Sequence, residues 1–159
     1  PPFHADDGIR DLDSCLVGSE MCIRDSARGT PFAGGGLSAG MRDLGRIGLL
    51  MLNGGKINGQ RLFPKDVLEN IRAGGDKKAF AKAGYKTLKG GSYRSMWWIL
   101  HNMHGALAAR GVHGQTIYID PTAEMVIVRF ASFPTAKNAQ IDPTSLPAYQ
   151  AVAEYLMKE

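Results

Sequence analysis

The stretch that decides the fold reads AARGVHGQTIYIDP and covers residues 108–121. Together with the ten residues that follow it, this stretch predicts a β-strand over residues 116–119, a turn over residues 120–123 and a second strand over residues 125–131. Gly111 and Gly114 precede the first strand and allow a ligand to come close to the backbone. An exposed edge amide in this stretch is suited to donating a hydrogen bond to an oxyanion.

Helical periodicity flanks these strands on both sides. The spacing predicts helices over residues 39–53, 64–72 and 145–157, with Ser38 as the N-cap of the first. We expect Val67 and Ile71 on the apolar face of the second helix. Leu146, Tyr149, Ala153 and Leu156 form the apolar face of the last helix.

Three further segments complete the predicted fold. An aromatic strand is predicted over residues 96–100, a turn at Asn58-Gly59, and an exposed Gly- and Lys-rich excursion over residues 74–92. The order of elements indicates an α+β fold, with an antiparallel sheet, flanking helices and a C-terminal helix that caps the sheet. Trp97 and Trp98 lie on opposite faces of such a strand, so one is expected in the core and the other at a groove.

Composition excludes several classes of protein. The 159 residues are 44% apolar and 21% charged, with a net charge of +4, which is typical of one globular domain. No run approaches the roughly 18 apolar residues of a membrane span, and the first residues lack a secretory-signal pattern. Nothing in the sequence predicts a cofactor. Location, cytoplasmic or periplasmic, is left open, because any signal peptide would lie upstream.

The first 28 residues differ in character from the rest. Residues 14–26 resemble a translated sequencing adapter, so we interpret residues 1–28 as an artefact or a disordered leader. The functional alternative is a disulfide or metal pair formed by Cys15 and Cys22. Two thiolates without a nearby His make a poor zinc site, which needs four ligands.

Four motifs invite other functions. Gly36-Leu37-Ser38-Ala39-Gly40 matches the nucleophile elbow of α/β-hydrolases, but no buried strand precedes it. The pattern Gly34-x-Gly36-x-x-Ala39 is a weak dinucleotide-binding fingerprint and is rejected because the same strand is missing. His101-x-x-His104 has no evident third metal ligand. The five lysines of the excursion (Lys77, Lys78, Lys82, Lys86 and Lys89) are interpreted as a solvated surface rather than a nucleic-acid site. An intact esterase using Ser38 and a basic binding domain remain the alternatives.

Five segments carry a resemblance to a known family when they are taken in order. They are residues 32–38, 42–48, 53–60, 93–98 and 111–121. In this combination residues 29–159 resemble the C-terminal part of the β-lactamase-related serine hydrolases. That superfamily includes class C β-lactamases, carboxypeptidases and esterases, and the similarity is greatest to its 6-aminohexanoate-dimer hydrolase-like members.

The resemblance implies cleavage of a small-molecule amide or ester through an acyl-enzyme. The family activates its serine with Ser-x-x-Lys and Tyr-x-Asn motifs, which are missing from this chain, so the chain alone is expected to be inactive. The family's third motif, Lys-Thr-Gly, falls on Ala109-Arg110-Gly111, where only the glycine matches. This departure puts β-lactam hydrolysis in doubt.

The same correspondence assigns candidate site residues. The Val112 amide, placed by Gly111, is implied as one oxyanion donor. Substrate contacts are implied for Trp97, Trp98, Arg110 and His113, and core or strand packing remains the alternative for the tryptophans and the histidine. The resemblance implies no nucleic-acid or membrane partner, and the oligomeric state stays open.

Overall fold

A computed structural model of the chain describes residues 39–158. The chain divides into two units, residues 1–44 and residues 45–159, and the packing described below lies within the second. The adapter-like segment, both cysteines and Ser38 lie outside the described residues, so the predictions made for them stay predictions.

The described chain contains four helices and seven strands. The helices are α1 (Met41–Leu52), α2 (Lys65–Ala73), α3 (Lys77–Lys82) and α4 (Asp142–Leu156). The strands are β1 (Lys56–Ile57), β2 (Gln60–Arg61), β3 (Ser92–Arg94), β4 (Trp97–Ile99), β5 (Leu107–Arg110), β6 (Thr116–Asp120) and β7 (Met125–Arg129). Short 3₁₀ turns cover Val112–Gly114 and Asn138–Gln140.

Strands β3 to β7 form one antiparallel sheet in sequence order. Strands β1 and β2 form a separate hairpin that turns at Asn58-Gly59, as predicted. Both turn residues have positive φ, which is the pattern that tight hairpins require. The α+β class with an antiparallel sheet and flanking helices is therefore confirmed.

Helix α4 covers one face of the sheet. Its buried residues Tyr149 and Ala153 pack with Tyr118 of β6 and Ala108 of β5 in one hydrophobic cluster. Burial and the nearby charge of Asp120 raise the pKa of Tyr118 to about 12, against a smaller lowering by its hydrogen bond to Asn102. The phenol is therefore neutral in the core.

Helix α1 approaches the opposite face at Gly48. A Cβ atom at Gly48 would lie 2.4 Å from Cγ1 of Val126 and 3.3 Å from Cγ2 of Ile117. Ile117 points away from Tyr118 because successive side chains alternate across a strand. Glycine at this position therefore lets the helix backbone lie against β6 and β7.

Several predicted details are wrong. Two strands, β3 and β5, were not predicted, and the excursion is not wholly exposed, because it contains α3 and buries Phe80 and Leu88. Leu68 rather than Val67 is buried in α2, and Leu156 of α4 is exposed. Within residues 39–158, no helix has the length and apolar character needed to cross a membrane.

Candidate active site

The loop between β5 and β6 is clamped on both sides. The Gly111 amide donates to the Gln115 carbonyl (2.9 Å), and the Gln115 amide donates back to the Val112 carbonyl (3.2 Å). The close approach explains the glycine, since a Cβ at Gly111 would lie 2.9 Å from Cβ of Gln115. The loop backbone is thereby fixed by its own short-range hydrogen bonds.

The segment over residues 131–138 holds the same loop from outside. The His113 amide donates to the Ala136 carbonyl (3.2 Å), and the Phe133 amide donates to the His113 carbonyl (3.0 Å). Asn138 Nδ2 donates to the Gly111 carbonyl (2.9 Å), and the Gln115 side chain makes paired hydrogen bonds with the Ala131 backbone. These contacts hold the loop in a single geometry.

The Val112 amide is the exception in this loop. No hydrogen bond from this amide to another described residue is found, and the Val112 residue is 60% exposed. An amide without a partner, in a loop held by other hydrogen bonds, is the arrangement that an oxyanion donor needs, because the donor is already oriented when charge develops on the substrate.

A cleft of about 580 Å³ opens beside this amide. Gly111 and Val112 line it on one side, with Tyr85, Thr87 and Trp98 among the other lining residues. Its volume is in the range usual for small-molecule sites, which combine apolar walls with a few polar groups. The cleft can therefore hold a small molecule beside Val112.

Arg110 and Asp142 are polar residues that line the cleft. Its guanidinium makes an ion pair with the Asp142 carboxylate, and the two side chains are only 8% and 4% exposed. Asp142 also accepts a 2.5 Å hydrogen bond from Thr87, and the guanidinium carbon lies 5.9 Å from the Trp98 ring centroid. Arg110 is thus neutralised by a buried partner.

The other predicted site residues are placed differently. Trp98 lines the cleft and packs edge-on against Tyr93 at 4.7 Å, whereas Trp97 is half-buried outside the cleft lining. His113 has a φ of +56°, and its Nδ1 lies 2.8 Å from the Phe133 carbonyl. Its ring is not among the cleft-lining residues, so the structure gives it an anchoring contact.

His101 and His104 do not converge on a common point. His101 Nε2 lies 2.7 Å from Ser92 Oγ, whereas His104 Nδ1 lies 2.7 Å from Oδ2 of the fully buried Asp120. Burial, with a smaller effect of the Lys77 charge, lowers the pKa of His101. Across the part of the chain that the structure describes, no cluster of His, Cys, Asp or Glu is able to hold a metal ion.

Sequence reasoning missed the partners that shape the cleft. Asp142 and Thr87 lie 32 and 55 residues away in sequence from the groups they contact, so no local pattern indicates them. Asn138 was also missed, although it holds the Gly111 carbonyl, and its Oδ1 is buried without a partner in the described residues.

Comparison with known proteins agrees with this α+β hydrolase-like architecture. No family model matches the chain. The 6-aminohexanoate-dimer hydrolase of Paenarthrobacter ureafaciens is 38% identical over 107 residues, which make up 67% of this chain and 27% of that protein. A solved structure from Bacillus anthracis, assigned as a 6-aminohexanoate-dimer hydrolase, is 36% identical and has a TM-score of 0.62. That match covers 77% of this chain and 30% of the Bacillus chain.

Both matches are to part of a hydrolase, and the chain has the α+β architecture of the matched structure. In particular, the chain is similar to a part of each of two 6-aminohexanoate-dimer hydrolases. This confirms the resemblance that its motifs indicated. The chain spans less than a third of the length of these two relatives.

Proposed function

We propose that this chain is the part of a serine hydrolase that supplies the acyl pocket and one oxyanion donor. The whole enzyme would cleave a small-molecule amide or ester through an acyl-enzyme, with the Val112 amide donating to the substrate carbonyl oxygen. The free and rigidly held Val112 amide at the edge of the cleft carries the proposal.

The chemistry assigns a limited role to this chain. A serine nucleophile attacks the carbonyl carbon and transfers its hydroxyl proton to a base, and the carbonyl oxygen becomes negative. The Val112 N–H offers that oxygen a hydrogen bond, while Trp98 and Tyr85 offer apolar walls to the acyl chain. The serine, its base and the second oxyanion donor belong to the segment that carries Ser-x-x-Lys and Tyr-x-Asn.

A chimera tests this division of roles. The matching segment of the Paenarthrobacter ureafaciens relative is replaced by the segment from this chain, and hydrolysis of 6-aminohexanoate dimer and p-nitrophenyl acetate is measured. We expect the chimera to turn over the ester with a burst of p-nitrophenol, which reports an acyl-enzyme. A folded chimera with no hydrolysis of either substrate would contradict the proposal.

The isolated chain provides the control. We expect it to give no serine-dependent turnover of p-nitrophenyl acetate, because the nucleophile and its base are missing. Turnover that disappears in Ser38→Ala would favour the alternative of a small intact esterase. Ser38 lies outside the described residues, so only this assay addresses it.

A further inference from the structure

The carbonyl of Gly111 and the amide of Val112 belong to one peptide unit. A trans peptide unit is planar, and its C=O and N–H point in opposite directions. Whatever fixes the direction of the Gly111 carbonyl therefore also fixes the direction of the Val112 N–H. Asn138 Nδ2 donates to that carbonyl at 2.9 Å, and no second donor to it is found in the described chain.

The segment that carries Asn138 is tied to the β5–β6 loop on both sides of this peptide. Before the peptide, Arg110 forms a buried ion pair with Asp142. After it, the His113 amide donates to the Ala136 carbonyl at 3.2 Å. Asn138 lies between Ala136 and Asp142 in the sequence, so its backbone is held close to the peptide that its side chain contacts.

The Asn138 side chain is not part of a larger stabilising network. Its Oδ1 is buried and has no hydrogen-bond partner among residues 39–158. A buried acceptor without a partner lowers stability. The amide group cannot be reversed to relieve this, because Oδ1 would then face the Gly111 carbonyl oxygen, which accepts only a donor. The single hydrogen bond of this side chain thus goes to the peptide that carries the proposed oxyanion donor.

The contact affects both the direction and the strength of the Val112 donor. Gly111 has no Cβ atom, so rotation about its ψ angle is less restricted than in other residues, and the peptide needs an external contact to hold its plane. A hydrogen bond accepted by the carbonyl also polarises the peptide, and linked hydrogen bonds strengthen one another by roughly 10–30% each. Loss of the Asn138 amide would remove both effects.

We propose that Asn138 is a positioning residue that orients and polarises the Val112 N–H toward the carbonyl oxygen of the substrate. The inference rests on the proposed function and deepens it, because Asn138 acts on the reaction only through the Gly111–Val112 peptide. The negative charge on the substrate oxygen develops in the transition state. Removing Asn138 should therefore lower kcat while leaving KM nearly unchanged.

Kinetics of the chimera with p-nitrophenyl acetate test the proposal. We expect kcat to fall about tenfold in Asn138→Ala, which is part of the 10²–10³-fold that a whole oxyanion donor contributes, with KM changed less than about twofold. Asn138→Asp keeps the shape of the side chain but replaces the donor with an oxygen, so it should lose at least as much. An unchanged kcat in Asn138→Ala would overturn the proposal.

Gln140→Ala is the matched control. Gln140 lies on the same 3₁₀ turn as Asn138 but is exposed and does not line the cleft. Its side chain contacts Thr135 Oγ1 rather than the β5–β6 loop. We expect kcat of the Gln140→Ala chimera to stay within about twofold of the parent. A tenfold loss in this control would assign the effect to the turn as a whole and overturn the specific role of Asn138.

A double-mutant cycle separates positioning from a general structural effect. If Asn138 acts through the Val112 N–H, Asn138→Ala should cost less than about twofold in kcat/KM once Val112→Pro has removed that N–H. A residue that only stabilises the fold would cost the same with and without the N–H. The same tenfold loss in both backgrounds would therefore overturn the proposal.

NMR of the full 159-residue chain provides a readout that needs no activity. In Asn138→Ala we expect the Gly111 carbonyl ¹³C resonance to move upfield, because the carbonyl has lost its donor. The order parameter of the Val112 N–H should fall below the value of about 0.85 that is typical of rigid backbone. Gln140→Ala should change neither signal.

The positioning role and the proposed reaction fail separately. If the chimera is inert while both NMR signals change as expected in Asn138→Ala, the proposed function fails and the control of the peptide by Asn138 stands. If the chimera is active while Asn138→Ala changes neither the NMR signals nor kcat, the positioning role alone is overturned.

Discussion

The two ends of strand β6 have opposite chemistry. At the C-terminal end, both carboxylate oxygens of the fully buried Asp120 have partners within the chain. Oδ2 contacts His104, and Oδ1 accepts hydrogen bonds from the amides of Thr122 and Ala123 at 3.1 and 3.0 Å. At the other end the loop over residues 111–115 is equally well clamped, yet it leaves the Val112 amide without an acceptor in the described chain.

The difference separates structural polar groups from candidate functional ones. Buried polar groups are normally paired, so the Asp120 network is what a stable fold requires. An unpaired donor in a loop whose other groups are engaged leaves one hydrogen bond for a ligand. The buried Tyr149 hydroxyl also has no partner in the described chain, and we have no physical account of it.

The largest expected effect on stability comes from removing the Asp120 carboxylate at the C-terminal end of β6. Asp120→Ala removes the partner of His104 and the acceptor of two turn amides, so we expect the free energy of unfolding to fall by about 3–5 kcal/mol. Urea unfolding of the chain, followed by tryptophan fluorescence, measures it. Asp120→Asn keeps an acceptor for Thr122 and Ala123 and should cost less. If Asp120→Ala lowers the free energy of unfolding by less than about 1 kcal/mol, the Asp120 network is not the structural element that distinguishes this end of β6 from the loop end.

A smaller effect on stability is expected from a change in the loop over residues 111–115, at the N-terminal end of β6. Gly111→Ala places a Cβ against Gln115 and should destabilise the chain by about 1–3 kcal/mol through overpacking. Gly45→Ala in α1 is the matched control, because its added Cβ would have no contact within 4 Å among the described residues beyond the helix's own backbone, and it should be neutral or stabilising. Equal urea midpoints for Gly111→Ala and wild type would show that the loop is not held as described.

The smallest effect is a pH dependence at His101. Its pKa is lowered in the folded chain, so the unfolded chain takes up the proton first as the pH falls. This contribution to stability is complete above the unfolded pKa of about 6.5 and decreases below it. We expect the Tm to drop more between pH 7.5 and 5.5 in wild type than in His101→Asn, which tolerates the φ of +51°. Equal drops would contradict the role of His101.

Sequence predicted the parts of the fold that local patterns specify. Strand β6 follows from the β-branched and aromatic residues 116–119, the turn after it from the turn residues 120–123, and the hairpin turn from Asn58-Gly59. Strand β5 was missed because Ala108 and Ala109 have low β-propensity and become strand residues only through pairing with β4 and β6.

The sequence indicated part of the cleft lining, including Trp98 and the loop that follows Arg110. The glycines at 111 and 114 pointed to a loop that a ligand can approach, and the structure shows that loop at the cleft. Arg110 also lines the cleft, and its predicted contact with substrate stays a prediction, but its ion pair with Asp142 was not expected from the sequence. His101 and His104, three residues apart, follow a backbone with positive φ at His101 and enter separate networks. Side-chain contacts between residues far apart in the sequence, such as Arg110 with Asp142, cannot be predicted from the spacing of residues within a motif.

The central claim is that the Val112 amide is an oxyanion donor, and removing that one N–H in the chimera tests it most directly. Val112→Pro deletes the donor, and the extended ψ of 176° at Gly111 suits a following proline. Val112→Ala keeps the donor and serves as the control. We predict that kcat/KM for the ester falls about 10²–10³-fold in Val112→Pro and less than tenfold in Val112→Ala. Equal activity of the two folded variants would contradict the account.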